Sequence, residues 1–237
     1  MSADANSHDL ESGKPHNGID YVDGDNLSNQ LTKTITVTPE MFERMYLSPK
    51  GATVGDLRKR LANPTPLAVM GFAVGLFPLS VEFMGWRGSG GTFATQTTTC
   101  SIWFGGLLLI LGGIGEFLIG NTFPCMVFLG YAAHFLTFAT TFIPFFGAVA
   151  WNSKEPGNAF EPGAGFSAGF GFYPLALGML SFIFLIGSLR TNVVFLLIFI
   201  AATMGFSFAS AGLWYTAAGN MALGGKFVVA TGGAFFA

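Results

Sequence analysis

Residues 63–86, NPTPLAVMGFAVGLFPLSVEFMGW, form an apolar stretch in which Glu82 is the one charged residue. A helix needs about 20 consecutive apolar residues to cross the hydrocarbon core of a bilayer, and this stretch is long enough. It opens with an asparagine and two prolines, and proline suits a first helical turn because the N–H that it lacks would be unpaired there anyway. The stretch therefore predicts a first membrane-spanning helix over residues 66–86.

Charged residues are concentrated before this helix. After residue 60 the chain is charged only at Glu82, Arg87, Glu116, Lys154, Glu155, Glu161, Arg190 and Lys226. Charged residues make up 10% of the whole chain, against about one-quarter in soluble domains, which excludes an ordinary soluble fold for residues 61–237. Residues 1–60 are polar and poor in large apolar groups, so we predict a disordered cytosolic tail. The basic cluster Arg58–Arg60 just before the first span predicts a cytosolic N-terminus.

The same length criterion divides the rest of the chain into further spans. They are predicted at residues 99–119, 123–151, 169–189 and 193–217. A sixth apolar stretch begins near Phe227 and reaches Ala237, too short to cross a membrane as a helix. It is either an interfacial or re-entrant end or a sixth helix that is cut short, and we favour the second. The predicted fold class is an all-α integral membrane protein, a bundle of six transmembrane helices with the sixth truncated.

Neither composition nor spacing indicates catalysis, metal or nucleic acid. Cys100 and Cys125 both lie in apolar stretches with no metal-binding spacing, and such cysteines are commonly small core residues. No nucleophile–base constellation and no nucleotide-binding loop is visible. The net charge of −2 comes with no basic face. We therefore expect no enzyme activity, no catalytic residue, no metal, no cofactor and no nucleic-acid partner.

Three groups within the apolar region are candidates for function. Asn63 is a strong helix N-cap, and the turn it opens is either a well-built helix start or a cluster of free N–H groups that binds a small anion. His134 lies on a stripe of aromatic residues at helical spacing, where an ionisable side chain faces either a cavity or a partner. Glu116 lies one turn before the end of the second span. It is either a proton-coupling acid or a structural group bonded to Asn121, Thr122 or a neighbouring helix, and we favour the structural role.

Four blocks of sequence resemble the acetate uptake transporter family, which includes bacterial succinate–acetate permeases and fungal acetate transporters. The first is Asn63–Phe72, similar to the family signature. The second is Gly115–Phe123, which resembles the Gly-Asn-Thr-Phe junction between the second and third spans and contains Asn121 and Thr122. Leu189–Asn192 and Gly232–Phe235 are similar to the turn after span four and to the start of the sixth helix.

The resemblance implies a transport domain over residues 61–237, with six helices and a pore in each subunit of a homo-hexamer. It implies uptake of acetate and related short monocarboxylates together with a proton, with the bilayer as the other partner and the plasma membrane as the location. The implied substrate ligands are Asn63, Pro64, Pro66 and Leu67. The implied pore constriction is formed by Phe72 and Tyr131. The implied third constriction residue is a leucine of the fifth helix, where this chain has Ala202 and Met204.

Several residues depart from the family pattern. They are Thr65 between the prolines, Ala68 for a usual glycine, Pro124 and Cys125 after the Gly-Asn-Thr-Phe block, and His134 for a usual aromatic residue. Other hypotheses also remain open: a membrane acetate sensor that signals through its tail, an ammonium exporter, and a structural membrane protein with no transport activity.

Overall fold

The computed structural model describes residue 58 and residues 60–90, 94–153, 155 and 161–237. The predicted tail, residues 1–60, lies outside the described residues apart from Arg58 and Arg60. Six long helices form the described part of the chain. They are α1 (Thr65–Phe83), α2 (Thr95–Leu118), α3 (Thr122–Thr141), α4 (Ala164–Ser188), α5 (Val193–Ala217) and α6 (Met221–Phe236). Within the described residues there is no β-strand, and a single isolated bridge pairs Ser153 with Pro162. The first five helices are long and apolar enough to cross a membrane, which confirms the all-α membrane class.

The helices alternate in direction and form a ring. Helix α1 packs between α2 and α6, α5 packs between α4 and α6, and α2 packs on α3. Aromatic side chains complete the ring of helices between α3 and α4. The ring centroids of Phe123 and Tyr131 each lie 6.2 Å from that of Phe184 on α4. The arrangement leaves space along the axis of the bundle, surrounded by the inner faces of the helices.

Helices α1 and α2 approach closely because both carry glycine at the contact. A Cβ atom on Gly71 would lie 2.6 Å from the carbonyl oxygen of Phe104, and one on Gly75 would lie 3.0 Å from the Cα of Gly105. Two small residues spaced four apart allow helices to pack closely, and both Gly71 and Gly75 lie at this contact. The facing segment of α2, Ser101–Leu108, is a π-helix.

Cys100 donates a hydrogen bond to a backbone carbonyl of α1 whose usual N–H donor is missing. Pro78 lies inside α1 and has no N–H to donate to the carbonyl of Val74. The Cys100 thiol of α2 donates to that carbonyl oxygen at 3.3 Å instead. The cysteine is therefore a structural contact between two helices.

Helix α3 is shorter than predicted. It ends at Thr141 rather than near Trp151, because the residue before a proline is disfavoured in a helix and Pro144 follows closely. The chain continues as a 3-10 turn over Pro144–Phe146 and a short helix over Ala148–Trp151. Helix α4, by contrast, begins at Ala164, five residues before the predicted start.

The prediction for the sixth helix was wrong at its start. Helix α6 begins at Met221, and the side-chain oxygen of Asn220 accepts a hydrogen bond from the Leu223 N–H at 3.1 Å. Two glycines and Lys226 interrupt the apolar pattern and hide this start in the sequence. The helix has 16 residues, so the expected eleven-residue stretch is replaced by a helix of more than four turns.

Candidate functional site: two cavities joined at an aromatic neck

Two cavities lie one after the other along the axis of the helix bundle. The Phe72 cavity, of about 280 Å³, lies between α1, α3, α5 and α6 and contains Leu76, Tyr131 and Ala202 in its wall. The Glu82 cavity, of about 370 Å³, lies nearer the end of α1 and is also bordered by α4. His134, Phe206 and Phe235 line both cavities. These three side chains form the boundary between the cavities, which we call the neck.

Phe72 and Tyr131 meet across the first cavity, as the resemblance implies. Their ring centroids are 5.8 Å apart, and the planes are inclined by 48°. Tyr131 is buried, and its hydroxyl lies 3.0 Å from the hydroxyl of Ser181 on α4. The hydrogen bond holds the tyrosine ring in place, so the width between the two rings is set by packing on three helices.

His134 lies in the neck and has a specific partner. Its Nδ1 is 2.9 Å from the hydroxyl of Tyr173 on α4. Its ring meets Phe206 of α5 edge to face, with centroids 4.9 Å apart. His134 is therefore buried, borders the two cavities and also has a side-chain partner, so both alternatives from the sequence are present together.

Helix α5 presents aromatic residues to the site, and its Leu197 also lines the Phe72 cavity. Phe199 and Phe206 stack on Tyr131 at 6.3 and 6.5 Å, and Ala202 between them lines the Phe72 cavity. Met204 points away and is 44% exposed. Sequence reasoning missed Phe206 and Tyr173, although Phe199, Ala202 and Phe206 recur at the three- and four-residue intervals of a helix face.

Of the two alternatives for the start of α1, the described residues show a turn whose N–H groups are bonded within the chain. The side chain of Asn63 accepts a hydrogen bond from the Thr65 N–H at 3.1 Å. The N–H groups of Leu67 and Ala68 both donate to the carbonyl of Pro64, at 3.1 and 3.3 Å, and Pro66 has none. Pro64, not Asn63, is the N-cap residue. The first turn is therefore satisfied by its own chain, and the side-chain NH₂ of the exposed Asn63 is its remaining polar donor.

Glu116 joins the two main signature blocks. It is fully buried. One carboxylate oxygen accepts a hydrogen bond from the Thr65 hydroxyl, and the other accepts from Asn121 Nδ2 at 2.6 Å. The close packing of Gly115 against Pro64 brings the two blocks together. The α2–α3 turn is fixed as well, because the Asn121 N–H donates to the Glu116 carbonyl at 2.8 Å and α3 begins at Thr122.

The site residues that the sequence predicts thus fall into two groups. Phe72, Tyr131 and His134 line the cavities, whereas the remaining predicted residues are not in the wall of either. These are Asn63, Pro64, Pro66, Leu67, Glu116, Asn121 and Thr122. Within the described residues, no three His, Cys, Asp or Glu side chains are grouped so as to hold a metal ion.

A bundle of apolar membrane helices around an axial series of cavities is the architecture of a membrane transporter or channel. The chain belongs to the GPR1/FUN34/yaaH family, whose sequence model matches residues 47–237. It is 39% identical over 208 residues to the protein alcS of Aspergillus fumigatus, a match that covers 87% of this chain and 76% of alcS.

Two further matches are to SatP. Over 78 residues the chain is 33% identical to the succinate-acetate/proton symporter SatP of Escherichia coli K12, covering 33% of this chain and 39% of SatP. The solved structure of the bacterial acetate channel SatP matches the fold with a TM-score of 0.54 and 24% sequence identity. That match covers 74% of this chain and 88% of the other.

Proposed function

We propose that this protein carries acetate and related short-chain monocarboxylates across a membrane together with a proton. The observation that carries the proposal is the pair of cavities that meet at the neck formed by His134, Phe206 and Phe235. Family membership supports it, and so does the name of the symporter relative. The proposal is transport rather than catalysis, with a small carboxylate and a proton as ligands and no cofactor.

The lining of the cavities favours the neutral form of an acid. An ionised carboxylate that leaves water for an apolar space loses far more solvation free energy than the protonated acid does. The walls of the Phe72 cavity are mostly aliphatic and aromatic side chains. A short acid that carries its proton would pass this lining, while the distance between Phe72 and Tyr131 would limit the size of its alkyl group.

In this proposal, the start of α1 binds the carboxylate outside the two cavities, before the acid enters them. Asn63, with Pro64, Pro66 and Leu67, would receive the carboxylate through the Asn63 side-chain NH₂, since the backbone N–H groups of the turn are already bonded. Glu116 would hold the start of α1 against the α2–α3 turn rather than carry the proton. His134, which borders both cavities, would contribute to proton coupling.

The surroundings of the protein are also part of the proposal. The basic cluster Arg58–Arg60 supports a cytosolic N-terminus. Many large apolar side chains are exposed along the helices, among them Trp103, Phe117, Met179 and Ile183. Such a surface fits lipid or other subunits, in line with a homo-hexamer in the plasma membrane.

The test is uptake of labelled acetate by the purified full chain in liposomes under an inward proton gradient. Accumulation above that of protein-free liposomes, reduced by Asn63→Ala, is the expected result. A protein that moves no short-chain acid but binds acetate would be a sensor, and one that moves labelled methylammonium instead would be an ammonium transporter. Dissipating the proton gradient separates uptake of acetate together with a proton from flow of the acetate ion alone, because only uptake together with a proton then falls to equilibration.

A further inference from the structure

A buried carboxyl lies in the wall of the larger cavity and is not used by the path described so far. Glu82 is in the last turn of α1, is 7% exposed and lines the Glu82 cavity. The Thr97 hydroxyl of α2 is a polar neighbour of this carboxyl. Even so, neither Thr97 Oγ1 nor Glu82 Oε2 has a partner within hydrogen-bonding geometry in the part of the chain that the structure describes.

Among the residues that the structure describes, no lysine or arginine lies in the cavity wall to compensate this carboxyl. The titratable groups that face it are Cys100 from α2, His134 from α3 and Tyr173 from α4. Helices α5 and α6 contribute apolar residues, small residues and threonines to the wall. Arg87, which follows α1, and Lys226 of α6 are exposed and do not line the cavity.

An unpaired buried carboxylate is costly, and its cost falls if it binds a group that brings a proton or a positive charge. We propose that Glu82, whose side chain lines this cavity, binds the neutral form of a short carboxylic acid, with its carboxylate accepting the hydrogen bond of the acid O–H. The inference rests on the proposed function, because it takes the ligand class from it. It assigns to Glu82 the group that makes recognition of the acid depend on pH.

The chemistry requires one proton to be shared by two carboxyl groups. Two ionised carboxylates at hydrogen-bonding distance repel each other, so that one of them retains a proton. An O–H that donates to a carboxylate makes a short, charge-assisted hydrogen bond of about 2.5–2.7 Å. The proton enters either on the acid or on Glu82, and the bound pair carries one proton and one negative charge in both cases. Nothing is oxidised or reduced.

The cavity suits a small ligand of this kind. Its volume of about 370 Å³ lies in the range of about 300–1,000 Å³ that is usual for small-molecule sites. Phe83, Phe138 and Phe170 supply apolar contacts for the alkyl group of the acid. A carboxylate in a wall that is mostly apolar would fix the orientation of the acid, with its carboxyl toward Glu82.

The experiment measures acetate affinity against pH for the native chain and for Glu82→Gln. At pH values where free acetate and free Glu82 are both ionised, binding takes up one proton. The Kd and KM of the native chain for acetate should therefore rise about tenfold for each unit by which the pH is raised. The side-chain amide of the Glu82→Gln variant donates its own N–H to the acetate ion, so the affinity of that variant should hardly change with pH. Calorimetry in buffers of different ionisation enthalpy should show one proton taken up per acetate bound by the native chain and none by Glu82→Gln.

The controls separate this inference from the proposed function. Glu161→Gln removes an exposed carboxylate and should keep the native pH dependence. Glu82→Asp keeps the carboxyl and should keep the slope at weaker affinity, which gives a second test if Glu82→Gln does not fold. Three results would each overturn the inference. The pH dependence of acetate affinity could stay native in Glu82→Gln, or it could be lost in Glu82→Asp. The native chain could also bind methylammonium in a way that Glu82→Gln abolishes. Binding without any transport would overturn the proposed function alone.

Discussion

Asn121 donates a hydrogen bond from Nδ2 to Glu116 Oε2 over 2.6 Å, and this bond ties the α2–α3 turn to a carboxylate that also accepts from Thr65 of α1. Three helices are therefore connected through one fully buried side chain. The two most characteristic sequence blocks meet at this point, which is not in the wall of either cavity, and this favours a structural reason for Thr65, Glu116 and Asn121.

Removal of Asn121 should destabilise the protein, because it leaves one oxygen of the buried Glu116 carboxylate without a donor. We expect Asn121→Ala to lower the free energy of unfolding by about 1–3 kcal/mol and to lower the melting temperature in detergent. Asn152→Ala is the matched control, since that side chain is exposed and bonds only to the Ala148 carbonyl of its own segment. Equal melting temperatures for the two variants would contradict the structural role of Glu116.

The fold could be predicted from the sequence where a long apolar stretch ends at a clear signal. Helix α5 begins at Val193 and ends at Ala217 as predicted, because Asn192 caps its start at 2.8 Å and a Gly-Asn pair follows its end. The start of α6 could not be found in this way. Its first turns contain glycines and Lys226, and its place depends on packing against α5, where Gly212 and Gly224 come together.

The site could be predicted only for residues that fall within a recognisable motif. Phe72 and Tyr131 have such positions, and their rings lie 5.8 Å apart. Tyr173 and Phe206 do not, because their importance comes from contacts with His134 across the bundle. Tertiary pairings of this kind are invisible in one sequence. The burial of Glu82 could not be predicted for a similar reason, because the depth of this side chain depends on α2 and α6 packing around the end of α1.

The distance between Phe72 and Tyr131 should determine which acids pass. We expect Phe72→Ala to widen this part of the cavity and to reduce the preference for acetate over butyrate by about tenfold or more, given the usual 10–200-fold worth of one methylene in a fitted pocket. The measurement is the ratio of initial uptake rates of the two labelled acids in liposomes. Phe117→Ala, at a position 71% exposed on α2, should leave that ratio at the native value.

Close contact between α1 and α2 depends on the lack of a side chain at Gly75. We expect Gly75→Leu to force the helices apart and to cost about 1–3 kcal/mol of stability, seen as a lower melting temperature and poorer recovery in detergent. Gly169→Leu on α4 is the control, because a Cβ at Gly169 meets nothing within 4 Å. A Gly75→Leu variant as stable as this control would show that the α1–α2 contact is loose.

The neck offers a way to separate the role of His134 from that of Glu82. Once acetate saturates the protein, binding no longer limits uptake, so a remaining dependence on pH reports a group that acts during passage. If His134 couples protons, His134→Phe should lose part of the pH dependence of the maximal rate while KM still changes with pH. Tyr173→Phe keeps the imidazole and removes only its partner at 2.9 Å, so that variant should retain a dependence on pH. Maximal rates with the native pH profile in His134→Phe would make His134 a packing residue of the neck and leave Glu82 as the proposed proton-sharing group in the cavities.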